Sequence, residues 1–243
     1  MIRVVTFDLD DTLWAVAPVI ERANRELYTW LDEQAPLFTR RWQPEDFDSL
    51  RREVVREHPE WAHSVTAIRL GVLRKGLRAS GYSPHDTEHL AEAAFTHFLN
   101  ARNQVEFFQH ALAMLTHLGQ RYQLGALSNG NADIEKVGLG EYFDFCFNAD
   151  QVGRAKPDPL MFEQMLRFTG AEPTEVVHVG DHPEHDILGA QNAGIHSLWV
   201  NFERQPWPGA KPPSLEVHCL SDIPAAIEAL ANQAPTQGSG ADG

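Results

Sequence analysis

Val4–Leu13, VVTFDLDDTL, is the stretch that decides the fold. From Ile2 to Phe7 it is a run of β-branched and aromatic side chains, the pattern of a strand buried in a parallel sheet. It then breaks into Asp8-Leu9-Asp10-Asp11-Thr12, where the polar density predicts a loop. In open parallel sheets ligands bind beyond the carboxyl ends of the strands, so this loop is the first place to look for chemistry.

Downstream the pattern changes. From Pro18 to Asn103 apolar residues recur at spacings of three and four, as in Val19, Ala23, Leu27, Trp30 and Leu31. Further helices are predicted near Phe47–Arg56, Val65–Ser80 and Pro84–Asn100, the last with Ser83 as N-cap. After Val105 strands and helices alternate. Strands are predicted at Gln123–Leu127, Phe143–Asn148, Val176–Val179, His196–Val200 and Glu216–Leu220, and helices at Phe108–Gly119, Pro159–Thr169 and Glu184–Asn192. The expectation is an α/β protein with a Rossmann-like, doubly wound parallel sheet. Its core is discontinuous, residues 1–16 and 104–231, and residues 17–103 form an inserted all-helical domain. Residues 232–243 lack apolar content and are expected to be a disordered tail.

The chain has 243 residues and a formal net charge of −14. That balance argues against a nucleic-acid backbone binder and against a polybasic membrane-surface protein. The charge is uneven: residues 17–103 hold 12 of the 20 Lys/Arg but only 13 of the 34 Asp/Glu. No run approaches the roughly 18 apolar residues of a membrane span, and the N-terminus is too short for a signal sequence before Asp8. Cys146 and Cys219 read as buried free thiols, which fits a reducing compartment. A soluble cytoplasmic protein is expected; the oligomeric state is not legible.

The polar residues at strand ends are Asp8, Asp10, Asp11 and Thr12, then Ser128 and Asn129, then Lys156, then Asp181 and Asp186. All can converge on one crevice. Several carboxylates at one spot cannot all stay ionised without a cation. An oxygen-only set with no His/Cys pair favours Mg²⁺ over Zn²⁺. A Lys and a Ser beside such a cation suit a phosphoryl group, and a carboxylate can serve as a nucleophile.

These residues resemble the haloacid dehalogenase-like superfamily over residues 1–230. Its first motif is similar to Val4–Leu13, its second to Leu124–Gly130 (LGALSNG), its third to Ala155–Pro159 (AKPDP) and its fourth to His178–Ala190 (HVGDHPEHDILGA). The resemblance implies that Asp8 is a nucleophile and Mg²⁺ ligand. It implies that Asp10 is the general acid and base, with its backbone carbonyl on the metal. Ser128 and Lys156 would bind the phosphoryl oxygens, helped by Asn129, Gly130 and nearby backbone N–H groups. Asp181 would ligate the metal directly, with Asp186 behind the direct ligands or joined to the metal through water. The helical insert would be the class I cap. Dehalogenases of the superfamily lack a carboxylate at the position of Asp10, because a halide leaves unprotonated whereas an alkoxide benefits from an acid. The implied activity is hydrolysis of a small phosphorylated metabolite. DLDDTLW, Pro18-Val19-Ile20, SNGNA and GLGEYF look closest to bacterial phosphatases of the flavin pathway and FMN. Sialic acid 9-phosphate or nucleotide phosphatases, a 2-haloacid dehalogenase, a phosphonate hydrolase using Lys75, and a non-catalytic phospho-acceptor domain are the alternatives.

For several residues a structural role competes with a functional one. Asp11 is expected to cap the turn and Thr12 to hydrogen-bond beneath the site. Asp186 stands equally as a ligand or as a first-turn helix carboxylate. His182 is equally cleft-lining or solvent-facing. Trp14 is a core residue or a substrate contact. Trp61 and Arg69 are expected to serve helix packing and solvation rather than a ligand, and Trp207 loop packing.

Overall fold

The computed structural model describes residues 1–232. Strand β1 (Val4–Phe7) is followed by a run of helices: α1 (Val16–Gln34), α2 (Pro36–Arg41), α3 (Phe47–Glu57), α4 (Val65–Ala79) and α5 (Pro84–Arg102). Then come α6 (Ala111–Gly119), β2 (Gln123–Ser128), β3 (Phe145–Asn148), α7 (Ala149–Val152), α8 (Leu160–Thr169) and β4 (Val176–Gly180). A π-helical turn (Pro183–Leu188), α9 (Gly189–Asn192), β5 (His196–Val200), β6 (Leu215–Val217) and α10 (Ile223–Asn232) complete the chain.

The six strands form one parallel sheet in the order β3-β2-β1-β4-β5-β6. The strand order reverses at β1, which lies between β2 and β4, and that is where such sheets open a crevice. Alternation along the strands splits their side chains between two cores. Val5, Phe7, Leu124, Val177 and Leu198 pack under α6 and α10, while Val4, Leu127 and Val176 pack with Met161, Phe162 and Met165 of α8. Both faces are covered, which is why the strands read as continuous apolar runs. The helices between β1 and β2 enclose a core of their own: Leu27 and Leu31 of α1, Leu73 and Leu77 of α4, Phe95 and Phe98 of α5. Ser83 caps α5 by accepting the Asp86 amide.

Several local expectations are corrected. Helix α2 and helix α10 had no counterpart in the sequence reading. The helix expected from Phe108 starts at Ala111, because Phe107 bridges to Trp14 and His110 has a left-handed φ of 71°. The helix expected over Glu184–Asn192 is a π-helical turn followed by one α-helical turn. The last strand is shorter and earlier than Glu216–Leu220. The expected tail lies outside the described residues from 233 onward, and Asn232 belongs to α10. Cys146 and Cys219 are half-buried rather than buried, and both are free. Burial, reinforced by Asp133, pushes the Cys146 thiol up to about 11.

Candidate active site

The ends of β1, β2 and β4 and the Lys156 loop deliver the strand-end residues to one small pocket of about 170 Å³, lined by Asp8, Asp10, Ser128, Lys156, Asp181 and Asp186 among others. Lys156 is the hub. Its side chain is 1 % exposed, and Nζ donates to Asp8 Oδ1 at 2.9 Å, Asp186 Oδ1 at 2.6 Å and the Leu127 carbonyl at 2.5 Å. All three ammonium donors are thereby used, which is what a buried lysine requires.

Asn129 fixes that lysine. Its side-chain N–H donates to the Lys156 carbonyl and its Oδ1 accepts the Lys156 amide. The Asn129 side chain is therefore engaged with the backbone beside the pocket rather than turned to a ligand. Ser128 Oγ accepts the Gly130 amide at 3.0 Å. Gly130 lets the Asp10 carboxylate approach closely: a Cβ there would lie 2.5 Å from Asp10 Oδ2 and push that carboxylate aside.

The π-helical turn after β4 aims Asp186 inward. The Asp186 and Ile187 amides both donate to the His182 carbonyl, the widened turn that often marks functional sites. Asp186 is buried, takes Lys156 and His178 Nε2 on Oδ1, and accepts the His182 amide on Oδ2. Gly180 leaves the room: a Cβ there would stand 2.3 Å from the Asp186 carboxyl carbon. Asp186 thus sits within the carboxylate cluster and is not merely a helix-terminal charge. His182 acts locally, its ring accepting the Glu184 and His185 amides and stacking on His185 while lining the pocket.

The electrostatics follow from burial. Burial raises Asp8 well above the usual carboxylate range, with Lys156 opposing and Asp186 adding to the effect. Burial and the charge of Asp186 push Asp181 up to about 7. Burial works against ionisation of Asp186 too, but Lys156 and His178 outweigh it and hold that carboxyl below its ordinary value. Lys156 is raised, because Asp186 and Asp8 overcome its desolvation. Carboxylate oxygens of Asp8, Asp181 and Asp186 lie within 4.8 Å of one another. Two of the three are pushed toward the neutral form, the state of a cluster that a cation would relieve. An all-oxygen donor set of this kind fits a hard divalent cation.

Asp10 stands apart from that cluster, at the rim of the pocket. Its carboxylate takes Trp14 Nε1 at 2.8 Å on Oδ1 and Arg102 from the end of α5 on both oxygens, at 2.7 and 2.5 Å. Trp14 is fully buried and packs edge-on against Phe107, so it is a core residue that also orients Asp10. Asp11, at φ 58°, accepts the Val16 amide and caps the turn into α1. Thr12 hydrogen-bonds Asp181 at 3.0 Å from below. Trp61 stacks on His58, away from the pocket, and Trp207 packs against Trp199.

Two residues of this arrangement are not singled out by the sequence. Arg102 sits among helix-forming residues and carries no motif. His178 bridges Thr6 Oγ1 and Asp186 and reads as one more apolar-strand residue. Arg69, which the sequence offers as a contact to a polar head group but favours as a solvated charge, lines a cavity.

Residues 2–194 match the family of haloacid dehalogenase-like hydrolases. The chain belongs to that family. The haloacid dehalogenase-like relatives include 5-amino-6-(5-phospho-D-ribitylamino)uracil phosphatase YigB of Escherichia coli (strain K12). It is 34 % identical over 230 residues, 93 % of this chain and 96 % of that protein. N-acylneuraminate-9-phosphatase of Mus musculus is 27 % identical over 94 % of this chain and 95 % of its own. The crystal structure of a 2-haloacid dehalogenase from Pseudomonas syringae pv. Tomato DC3000 superposes with a TM-score of 0.91 at 39 % identity, covering 94 % of this chain and 99 % of the other. The fold of this haloacid dehalogenase-like hydrolase thus accommodates relatives named for two different leaving groups. Among the described residues no helix is long and apolar enough to cross a membrane.

Proposed function

We propose that the protein is a Mg²⁺-dependent phosphatase that hydrolyses a small-metabolite phosphate monoester through an aspartyl-phosphate on Asp8, in the cytoplasm. The observation that carries this reading is Asp10, a carboxylate two residues beyond Asp8, held at the pocket rim by Trp14 and Arg102. A phosphate ester needs a proton delivered to its leaving oxygen, and Asp10 stands where the pocket opens.

Asp8, Asp181, Asp186 and the Asp10 carbonyl would hold the cation. Bound there, Mg²⁺ offsets the clustered carboxylates and polarises a phosphoryl oxygen. Ser128 and the Gly130 region bind the phosphoryl oxygens; Lys156, held in place by Asn129, reaches one of them by turning a donor away from Asp8, Asp186 or the Leu127 carbonyl. Asp8 attacks phosphorus, the bond to the ester oxygen breaks, and Asp10 protonates that oxygen. Asp10 then takes a proton from water as it attacks phosphorus, which returns Asp8 to a free carboxylate and releases inorganic phosphate. The helical insert covers the leaving group and excludes water.

The flavin-pathway reading is favoured by the Escherichia coli relative, whose name specifies a ribitylaminouracil phosphate. The test is phosphate release from p-nitrophenyl phosphate with and without EDTA, then from FMN, the ribitylaminouracil phosphate, sialic acid 9-phosphate and nucleotides. Asp8→Asn is expected to lower kcat by more than about 10⁴-fold, as nucleophile deletions do. Activity retained in that variant removes the covalent route. A second reading, 2-haloacid dehalogenation, is favoured by the Pseudomonas syringae relative. Chloride release from 2-chloropropionate, with no phosphatase activity, would establish it instead.

A further inference from the structure

A second cavity, about 800 Å³, lies between the helical insert and the pocket, and the two meet at Asp10 and Gly130. Its walls are largely apolar, with Ile20, Leu27, Phe47, Ile68, Leu73 and Phe98 among them. Set into those walls are four arginines, Arg25, Arg51, Arg69 and Arg102, against two acidic residues, Asp10 and Asp48. Arg102 is the one of the four in an ion pair among the described residues, and its partner is Asp10. Asp10 is thereby neutralised, which leaves three arginines facing Asp48 alone.

Arg69 is the most committed of the three. It is half-buried, its guanidinium lies 3.6 Å from the centre of the Phe98 ring, and NH1 donates to Asn24 Oδ1 at 2.9 Å. Burial, and then the charges of Arg51 and Arg102, lower it to about 10. A guanidinium fixed on an aromatic face has a planar fork of donors ready for an oxygen acceptor. Burying such a group beside like charges is unfavourable unless an acceptor completes it.

We infer that this cavity selects substrates whose leaving group carries a second oxygen acceptor, a carboxylate or a ring carbonyl, on an apolar body, and that Arg69 is the residue that reads it. The inference rests on the phosphatase reading for its orientation, with phosphorus at Asp8 and the leaving group at Arg69. Simple polyol phosphates offer Arg69 only hydroxyl oxygens, weaker acceptors than a carboxylate or ring carbonyl, and no apolar body for the walls. Arg69 therefore acts on binding rather than on bond breaking, and its removal should appear in KM more than in kcat.

The experiment has two arms. Calorimetric titration of the wild-type protein with riboflavin, N-acetylneuraminate and ribitol tests the cavity without turnover. At least one acceptor-bearing alcohol is expected to bind about tenfold or more tighter than ribitol, the ratio expected of a charge-assisted hydrogen bond. Equal binding of all three overturns the inference. In the second arm, FMN and sialic acid 9-phosphate are compared with phenyl phosphate, which has no second acceptor, in Arg69→Met and Arg69→Lys. Arg69→Met is expected to reduce kcat/KM for the better acceptor-bearing ester about ten- to a hundredfold more than for phenyl phosphate, through KM. Arg69→Lys should recover part of that loss. A uniform loss across all esters, with Arg69→Lys no better than Arg69→Met, overturns it. Absence of phosphate release from every ester by the wild type fails the phosphatase reading, while the titration still decides the cavity.

Discussion

The pocket at the sheet and the cavity under the helices are neighbours built by opposite rules. In the pocket the side chains are hydrogen-bonded to one another: Lys156 to Asp8, Asp186 and a carbonyl, Asp186 also to His178, Asp181 to Thr12. In the cavity Arg25, Arg51 and Arg69 have no carboxylate partner among the described residues, and apolar walls surround them. A closed network is preorganised, suited to the phosphoryl chemistry that stays constant from turnover to turnover. An incomplete one leaves donors to be completed by the ligand, which suits selection. Arg102 joins the two, since it comes from the helical insert and grips a residue of the pocket.

The sharpest way to break the contrast is to open the closed network. Lys156→Met leaves Asp8 and Asp186 buried without their cation, a change expected to destabilise by about 3–5 kcal/mol. For a chain of this size that lowers Tm by roughly 10 °C. Thermal melting checks it, and a Tm unchanged within a degree would show that the pocket tolerates uncompensated charge. Activity should fall with it.

Next in size is a pH effect. Burial holds His178 down to about 4, although its hydrogen bond to Asp186 and that residue's charge oppose the shift. The unfolded chain takes up this proton near the ordinary histidine value of about 6.5, and the native protein only near 4. The stabilising contribution is therefore complete above about pH 6.5 and is lost as pH falls toward 4, by about 3 kcal/mol in all. The difference in denaturant unfolding between wild type and His178→Asn over pH 7 to 4 measures it, because Asp181, held up to about 7, contributes the opposite slope in both proteins.

Arg102→Met tests the join. It removes the guanidinium that grips the Asp10 carboxylate and is expected to lower kcat by about 10- to 100-fold, the range of a lost charge-assisted hydrogen bond, with little change in fold by circular dichroism. An unchanged kcat would mean that the two regions work independently. Smallest is Trp14→Phe, which keeps the ring in the core but deletes one hydrogen bond to Asp10. A loss in kcat of roughly three- to tenfold is expected, since a neutral hydrogen bond contributes about 1 kcal/mol.

Much of the sheet was legible because its signals are local. The β-branched runs that formed β1 and β4 are buried on both faces, and each ends in polar residues that line the pocket. Gly170 was read as a helix stop and adopts the left-handed φ of 61° that such a stop uses. Helix α2 was missed because PLFTRR is too short for a period to show. The start of α6 was misplaced because a long-range bridge between Phe107 and Trp14 overrides local periodicity.

The site divides the same way. Asp8, Asp10, Ser128 and Asp181 sit at the end of an apolar strand or just beyond it, and Lys156 and Asp186 lie in the segments that follow β3 and β4, where polar groups invite attention. Arg102, His178 and Arg69 are embedded in helix or strand patterns, where an arginine or histidine looks like any other. The sequence by itself determined the sheet, the helical insertion after β1 and the carboxylates at the strand ends, because these follow from periodicity and from polar residues interrupting apolar runs. Only the tertiary structure decided which charges are paired, that a helix terminus 92 residues from Asp10 supplies its arginine, and which arginines face an open cavity. Pairing depends on distances between residues remote in the chain, and no local pattern encodes them.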